Sequence, residues 1–394
     1  MTTKKQVADK GRGKQLAQIA PVVRGLLAEP TGNPDIPYRP VILKSLTSKT
    51  ALEFAGSTKN AEAQDYPPPL TKGHKPPLFL DVGKEYCEQI KDAISDYSAR
   101  HGRKPEILCL RDLGILYLDQ KKEGADLPLA NKVALVTGAA GAIGYGICCG
   151  LLEKGCHLIV TDLPGEKLDS FTDDLKQTAG DRVIGVPIDV TDEESVVRGF
   201  ERVILTWGGI DVVVVNAGIP LVKFLKDIDL DAFRKLEKVN VEGTFLTLRE
   251  IARHFILQGT GGDVIIVSTK NVPSPGAGFG AYSVTKAACH QLGRIASIEL
   301  AQYGVRVNMV APDGVFSEGK YKSGLWAEVG PDRMKARGLD EKGLQEYYQN
   351  RNLLKAKITG RHVSNAVLFF ATRQTPTTGV TIPVDGGLPD ATPR

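Results

Sequence analysis

The chain has only six cysteines in 394 residues, at positions 87, 109, 148, 149, 156 and 289, and none forms a CxxC pair. That scatter excludes a disulfide framework and a thiolate metal site, and reads as the reduced thiols of a cytoplasmic protein. Histidine is equally scarce. His74, His101, His157, His254, His290 and His362 are far apart, and no HxH pair exists, so no metal is expected. No apolar run approaches the length of a membrane span. A net charge of +4 is too small to argue for nucleic acid or an anionic membrane surface. The N-terminus is basic through Lys4, Lys5, Lys10, Arg12 and Lys14, but "LAQIAPVVRG" is broken by Gln18, Pro21 and Arg24, so no secretory signal is expected.

What remains is a globular composition, 42% hydrophobic and 24% charged. The length suits two domains, or one large domain with an extension. Residues 1 to about 13 read as a polar, disordered arm. "KQLAQIAPVVRGLLAE" has helical spacing of Leu16, Ile19, Val23 and Leu27. "NPDIPYRP" and "DYPPPLTKGHKPP" read as proline-rich connectors that interrupt regular structure. "PVILKSL", "LFLDV", "PEILCL" and "GILYLD" read as strands. "KEYCEQIKDAISDYSARHG" reads as a helix with Tyr86, Ile90, Ile94 and Tyr97 on one face. Residues 1–128 therefore form a small α/β extension without a catalytic motif, and residues 129–394 a second domain.

In the second domain "KVALVTG", "HLIVTD", "RVIGVPIDV", "IDVVVVNAG", "GDVIIVST" and "VRVNMVAP" are successive strands separated by helical stretches. Such alternation predicts an α/β fold, a Rossmann-type doubly wound parallel sheet. The first strand runs into "TGAAGAIG", with Gly138, Gly141, Ile143 and Gly144 at the mouth of a helix. A turn without side chains lets a pyrophosphate approach the backbone and the helix N-terminus. A tight strand-to-helix turn would use the same glycines.

The second strand ends in Asp162, about twenty residues on. Its carboxylate can accept hydrogen bonds from both hydroxyls of an adenosine ribose and would repel a 2′-phosphate. Leu163 and Pro164 follow, with no adjacent basic residue, so NAD is favoured over NADP. Asp189 and Val190 at the third strand end can hold the adenine, and Asn216, Ala217 and Gly218 can let the backbone pass beneath the cofactor.

The chemical residues stand in "TKNVPSPGAGFGAYSVTK", Thr269 to Lys286. Tyr282 and Lys286 are i and i+4 on one helix face. A phenol ionises near pH 10 when unperturbed, about three units above neutrality. A neighbouring ammonium favours the phenolate, as would an oxidised nicotinamide, so Tyr282 suits a general acid/base. Taken alone, the pair fits an ordinary helix surface equally well. Thr269 or Ser268 can hold the substrate oxygen. Asn240 in "KVNVEGTF" is either a functional polar group or a satisfied core residue.

These motifs, with "VRVNMVAP" and the terminal "TTGVTIPVDGG", fall in the order of the short-chain dehydrogenase/reductase superfamily, which residues 131–387 resemble. The resemblance implies nicotinamide-dependent alcohol/carbonyl chemistry on a small-molecule substrate, and a homo-dimer or homo-tetramer. It implies Tyr282 as acid/base, Lys286 as its partner and nicotinamide-ribose ligand, and Asn240 as holder of a relay water. The superfamily's serine, thirteen positions before the tyrosine, becomes Thr269. Three other positions depart from the pattern. Ala142 replaces a motif glycine, Val215 an asparagine, and Asp313 the glycine after Pro312, which puts the expected contact of Val315 with the nicotinamide in question.

A narrower resemblance is to the dehydrogenase half of the bifunctional rhamnulose-phosphate aldolase/alcohol dehydrogenase family. It rests on "TKN", on "GLDEKGLQEYYQNRNLLKAKIT" and on "VDGGLPDATPR". "KPPLFLD", "LAQIAPVVRGLLAEPTG" and "PVILKSLTSKTALEFAGS" also resemble that family, which implies that residues 1–128 are an aldolase-like remnant, and the scattered histidines leave it no metal site. A sugar, polyol or hydroxyaldehyde is the substrate class implied. The substrate loop is expected from Phe316 to Glu346. It carries Lys320, Lys322, Trp326, Arg333 and Lys335, whose basic members either bind an anionic substituent or form a solvated helical surface. The alternative function is a catalytically altered NAD-binding scaffold or sensor, with Thr269 marking the lost chemistry.

Overall fold

The structure, a computed structural model, describes residues 2–57, 66–70, 76–119, 127–317, 319–321, 323, 326 and 330–389, with the backbone alone for 2–10, 332 and 336. By contacts it divides into two compact units. One comprises Met1–Ala125 with Phe200–Ile210 and His254–Thr260. The other comprises Asp126–Gly199, Asp211–Arg253 and Gly261–Arg394.

The first unit opens with α1 (Thr2–Leu27). The disordered arm expected to residue 13 is thus helical. Leu16, Ile19, Ala20 and Val23 are fully buried, and a helix anchored there gains one hydrogen bond per residue as it extends toward the N-terminus. A second expectation also fails. "NPDIPYRP" is not an irregular connector but part of a hairpin of β1 (Glu29–Asn33) and β2 (Ile36–Arg39). A two-stranded ribbon tolerates proline because each strand has an outer edge with no partner. Its register shifts between Pro30 and Asn33, where Gly32 adopts φ +76°.

β3 (Leu43–Leu46), α2 (Lys49–Gly56), β4 (Leu78–Leu80), α3 (Tyr86–His101), β5 (Ile107–Leu110) and β6 (Gly114–Leu118) follow, with sheet order β3-β6-β5-β4. On α3, Ile90, Ile94 and Tyr97 are buried, as their spacing predicts. Helix α2 went unforeseen. Ser48 caps it by accepting from Ala51 N–H at 3.2 Å.

The second unit alternates strand and helix. It contains β7 (Val133–Val136), α4 (Ala142–Glu153), β8 (His157–Val160), α5 (Glu166–Ala179), β9 (Val183–Gly185), the start of α6 (Glu193–Trp207), β10 (Val212–Val215), α7 (Leu230–Glu237), most of α8 (Gly243–Gln258), β11 (Gly262–Val267), α9 (Gly280–Glu299), β12 (Val305–Pro312), α10 (Gly330–Arg337), α11 (Glu341–Asn350), α12 (Gly360–Ala371) and β13 (Thr381–Val384). The sheet order is β13-β12-β11-β10-β7-β8-β9, and every pair is parallel. This is the expected Rossmann-type sheet. β7, β10 and β11 are buried at every residue, because helices cover both faces.

Among the described residues no helix is long and apolar enough to cross a membrane, and no group of three or more His, Cys, Asp or Glu is placed to hold a metal. Burial pushes the Cys109 and Cys156 thiols up to about 12, which makes them packing residues rather than nucleophiles.

Candidate active site

The sheet order reverses direction between β7 and β10, and the turns leaving those strands separate there. A crevice opens beyond their carboxyl ends, where doubly wound sheets take ligands. It continues along α9, residues 312–315, Arg333, Tyr347, Tyr348 and Arg351 as one cavity of about 1120 Å³.

The turn after β7 is tied to the turn after β10. The Thr137 hydroxyl, buried at 1% exposure, accepts from the N–H groups of Asn216 and Ala217, both at 3.0 Å. The Asn216 amide donates to the carbonyls of Thr137 at 3.0 Å and Gly138 at 2.7 Å. Asn216 therefore fixes the glycine-rich turn as well as lining the cavity. Thr137 opens the "TG" motif, but sequence reasoning assigned its hydroxyl no task.

The three glycines are required for different reasons. Gly138 adopts φ +58°, and a Cβ there would sit 2.7 Å from Ala217 Cα. A Cβ on Gly144 would sit 2.1 Å from the carbonyl oxygen of Ala139. At Gly141 a Cβ would meet nothing within 4 Å, so its backbone stands open beside the cavity at the N-cap of α4. Ile143 lines the wall beside it. Ala142, in place of the usual glycine, is 2% exposed and packs inward.

Asp162 ends the segment after β8. Its carboxylate accepts from the N–H of Ala140 at 3.1 Å and of Leu163 at 2.9 Å. Lys167, on the first turn of α5, lies 3.6 Å away. That lysine also lines the cavity, and its spacing from Asp162 hid it from the sequence reading. Asp189 and Val190 line the same end. Asp189 accepts from both the N–H and the hydroxyl of Thr191, so one carboxylate oxygen is committed to its own turn.

At the other end, Tyr282 and Lys286 project from α9 into the cavity, with Gly218, Thr269 and Val315 on the wall. Lys286 is 7% exposed and donates to the Val267 carbonyl at 2.9 Å, which orients its ammonium. A Cβ on Gly218 would lie 3.3 Å from the Lys286 ammonium nitrogen. Thr269, 6% exposed, accepts weakly from Asn271 N–H at 3.3 Å. Ser268 also touches the cavity, but its hydroxyl lies 3.0 Å from His290 Nδ1. Burial, then the Arg294 charge, hold that histidine below its usual value.

Asn240 lies behind the wall, 1% exposed, in a π-helical turn. Its amide oxygen accepts from Ile219 N–H at 2.9 Å. Its amide nitrogen donates to Ile219 O at 3.1 Å and to Thr285 at 3.0 Å. The amide thus ties the β10 turn to α9.

The segment expected to be the substrate loop carries α10 and α11. Asp313, the residue in place of glycine, forms a bidentate pair with Arg351 just past α11, one arm at 3.0 Å. The two are far apart in sequence, and no motif signals the pairing. The Val315 carbonyl accepts from the Trp326 indole at 2.8 Å. Trp326 is thus a packing residue, beside Phe316 and Tyr348, rather than a substrate contact. Lys320 pairs with Asp174, which Tyr321 also contacts. Lys335 is exposed and off the cavity wall, and Lys322 lies outside the described residues. Arg333 does line the cavity, as do Lys270, Asn271, Arg337 and Arg351. Burial, then the Arg351 and Arg333 charges, hold Lys270 below the usual lysine value against the pull of Asp313 and Asp385.

The chain resembles known proteins over about two thirds of its length. A family model described as short chain dehydrogenase matches residues 132–326. The uncharacterized oxidoreductase YuxG of Bacillus subtilis (strain 168) is 36% identical over 267 residues, which make up 67% of this chain and 38% of that protein. This chain therefore spans well under half of the Bacillus protein. The (-)-isopiperitenol/(-)-carveol dehydrogenase, mitochondrial, of Mentha piperita is 31% identical over 264 residues, 66% of this chain and 94% of that protein. A short-chain type dehydrogenase/reductase from Mycobacterium marinum has a solved structure of TM-score 0.57, at 25% identity, covering 68% of this chain and 99% of that one.

Proposed function

The chain belongs to the short-chain dehydrogenase family, the oxidoreductases of CH–OH groups, and from that premise we propose an NAD-dependent enzyme that interconverts an alcohol and a carbonyl on a small polar substrate. The observation that carries the reading is Tyr282 and Lys286 on one face of α9, sharing a cavity with the open backbone of Gly141 and the carboxylate of Asp162.

The residues present fit a dinucleotide. Gly141 leaves backbone exposed where a pyrophosphate would lie, at the N-cap of a twelve-residue helix. Asp162 offers an anionic acceptor for ribose hydroxyls, which favours NAD over NADP. Leu163, Asp189 and Val190 would flank the adenine. Asn216, Ala217, Gly218 and Val315 would border the nicotinamide end. When bound, the nicotinamide supplies the hydride acceptor.

The remaining chemistry falls to side chains of the chain. Tyr282 takes the proton from the substrate hydroxyl in oxidation and returns it in reduction. Lys286, held by Val267, keeps a positive charge beside it. Thr269 donates to the substrate oxygen and fixes its direction. Asn240 acts as a positioning residue, since its amide is spent on Ile219 and Thr285.

Exposed Val284, Ile295 and Ile298 on α9 form apolar surface that a second copy would cover, in keeping with a homo-dimer or homo-tetramer. The enzyme reading is tested by NAD reduction across a panel of polyols and hydroxy acids. Turnover abolished by Tyr282→Phe supports it. NAD binding without turnover on any member favours the scaffold or sensor.

A further inference from the structure

The cavity wall beyond Thr269 carries more positive charge than its carboxylates balance. Arg351 is committed to Asp313, and Lys320 to Asp174. Lys270 and Arg333 have no carboxylate partner among the described residues. Lys270 donates to the Ser274 carbonyl at 3.2 Å. Arg333 lies over the Phe279 ring, 4.9 Å from its centroid, and that ring is 6.1 Å from the Tyr282 ring.

Two polar atoms here are buried without a hydrogen-bond partner among the described residues: Arg333 Nε, a donor, and Asn271 Oδ1, an acceptor. Buried polar atoms are seldom left unpaired, because each loses its hydration with no replacement. Both belong to residues lining the cavity, so turning either side chain into it would offer the atom to a ligand. Arg333 Nε calls for an acceptor, best supplied by an oxyanion. Asn271 Oδ1 calls for a donor such as a hydroxyl. Asp385, whose Oδ2 is also unpartnered, lies close enough to influence Lys270 but is not on the cavity wall.

We propose that Lys270, Asn271 and Arg333 form an anion-reading subsite beside Tyr282, so that the substrate is a short hydroxylated alcohol or aldehyde carrying a carboxylate, phosphate or sulfonate group. This rests on the dehydrogenase reading for the reacting end but not for the anion end. Lys270 supplies a point charge, Arg333 a directed guanidinium, and Asn271 an acceptor for a hydroxyl between the anion and the reacting carbon. The requirement for both an anion and a hydroxyl excludes a purely apolar alcohol.

Calorimetric titration of the full chain tests the subsite, with and without saturating NADH, using malonate, inorganic phosphate, methanesulfonate and the uncharged malonamide. At least one anion is expected to bind the NADH-saturated protein, with malonamide silent. Lys270→Met and Arg333→Ala should each weaken that anion by about tenfold or more, with Arg333→Lys intermediate. An NADH-saturated protein that binds none of the three anions overturns the subsite, as does affinity unmoved by both substitutions. If a variant fails to fold, the contrast between malonate and malonamide on the wild-type protein still decides. Absence of NADH binding with anion binding intact would sink the NAD-dependent reading and leave the subsite standing.

Discussion

The hydroxyl of Ser268 lies 3.0 Å from Nδ1 of His290, and His290 Nε2 lies 3.4 Å from the hydroxyl of Thr381. The serine is therefore occupied in joining the end of β11 to α9. Among the described residues its neighbour Thr269 has only a long contact from Asn271 N–H, so its hydroxyl is the one left for a substrate oxygen. Thr269→Ser should keep kcat/KM within about threefold, since the hydroxyl stays and only χ1 freedom changes. Thr269→Ala should lose about tenfold or more. Ser268→Ala should lower stability by about 1 kcal/mol and spare kcat/KM. The reverse ranking in steady-state kinetics would move the substrate hydroxyl partner to Ser268.

His290 also sets a pH response. Its folded-state value is depressed by burial first and then by Arg294, relative to an unfolded value of about 6.5. Below that value the unfolded chain binds the proton more readily, so stability falls with falling pH. The urea midpoint should drop between pH 7.5 and 5.5, and His290→Gln should drop less. Equal slopes for the two proteins would remove His290 as a contributor.

Asp162 should decide the cofactor. Its two accepted backbone hydrogen bonds hold it rigid at the cavity. Asp162→Ala should weaken NAD binding by about tenfold, the scale of a lost hydrogen bond to a charged group. It should narrow the preference over NADP, helped by Lys167, which is left unpaired. Fluorescence titration of the reduced cofactors reads both. Equal wild-type affinity for the two would contradict the assignment.

Asn240→Ala leaves the Ile219 N–H and carbonyl without their side-chain partner. A half-buried donor abandoned in this way costs about 1 kcal/mol. The melting temperature should fall together with kcat. A variant of unchanged stability but reduced activity would instead favour a direct catalytic part for Asn240.

Much of the second unit was legible because its signals are local. Short runs of β-branched residues such as "VVVV" and "DVIIV", bounded by turn residues, favour strands buried on both faces, and the segments that follow them carry the site residues. Of the predicted catalytic and cofactor-binding positions, Asn240 alone lies off the cavity wall, while Trp326 and Lys335 of the expected substrate loop also lie off it. Pairings between distant segments were not legible: Asp313 with Arg351, Ser268 with His290 and Thr137 with the β10 turn each depend on the closed sheet. In the first unit, proline misled the reading. The β1–β2 hairpin accommodates Pro30 opposite Tyr38 and carries Pro37 within β2. Nor does any motif announce that residues 200–210 and 254–260 group with the first unit.

The central claim is that Tyr282 moves a proton in an NAD-linked reaction. Steady-state NAD reduction by the wild-type protein and by Tyr282→Phe, on the best substrate of a polyol and hydroxy-acid panel, tests it most directly. The account predicts wild-type turnover, with kcat reduced about a thousandfold in the variant and NAD affinity unchanged. A variant as active as the wild type would contradict it.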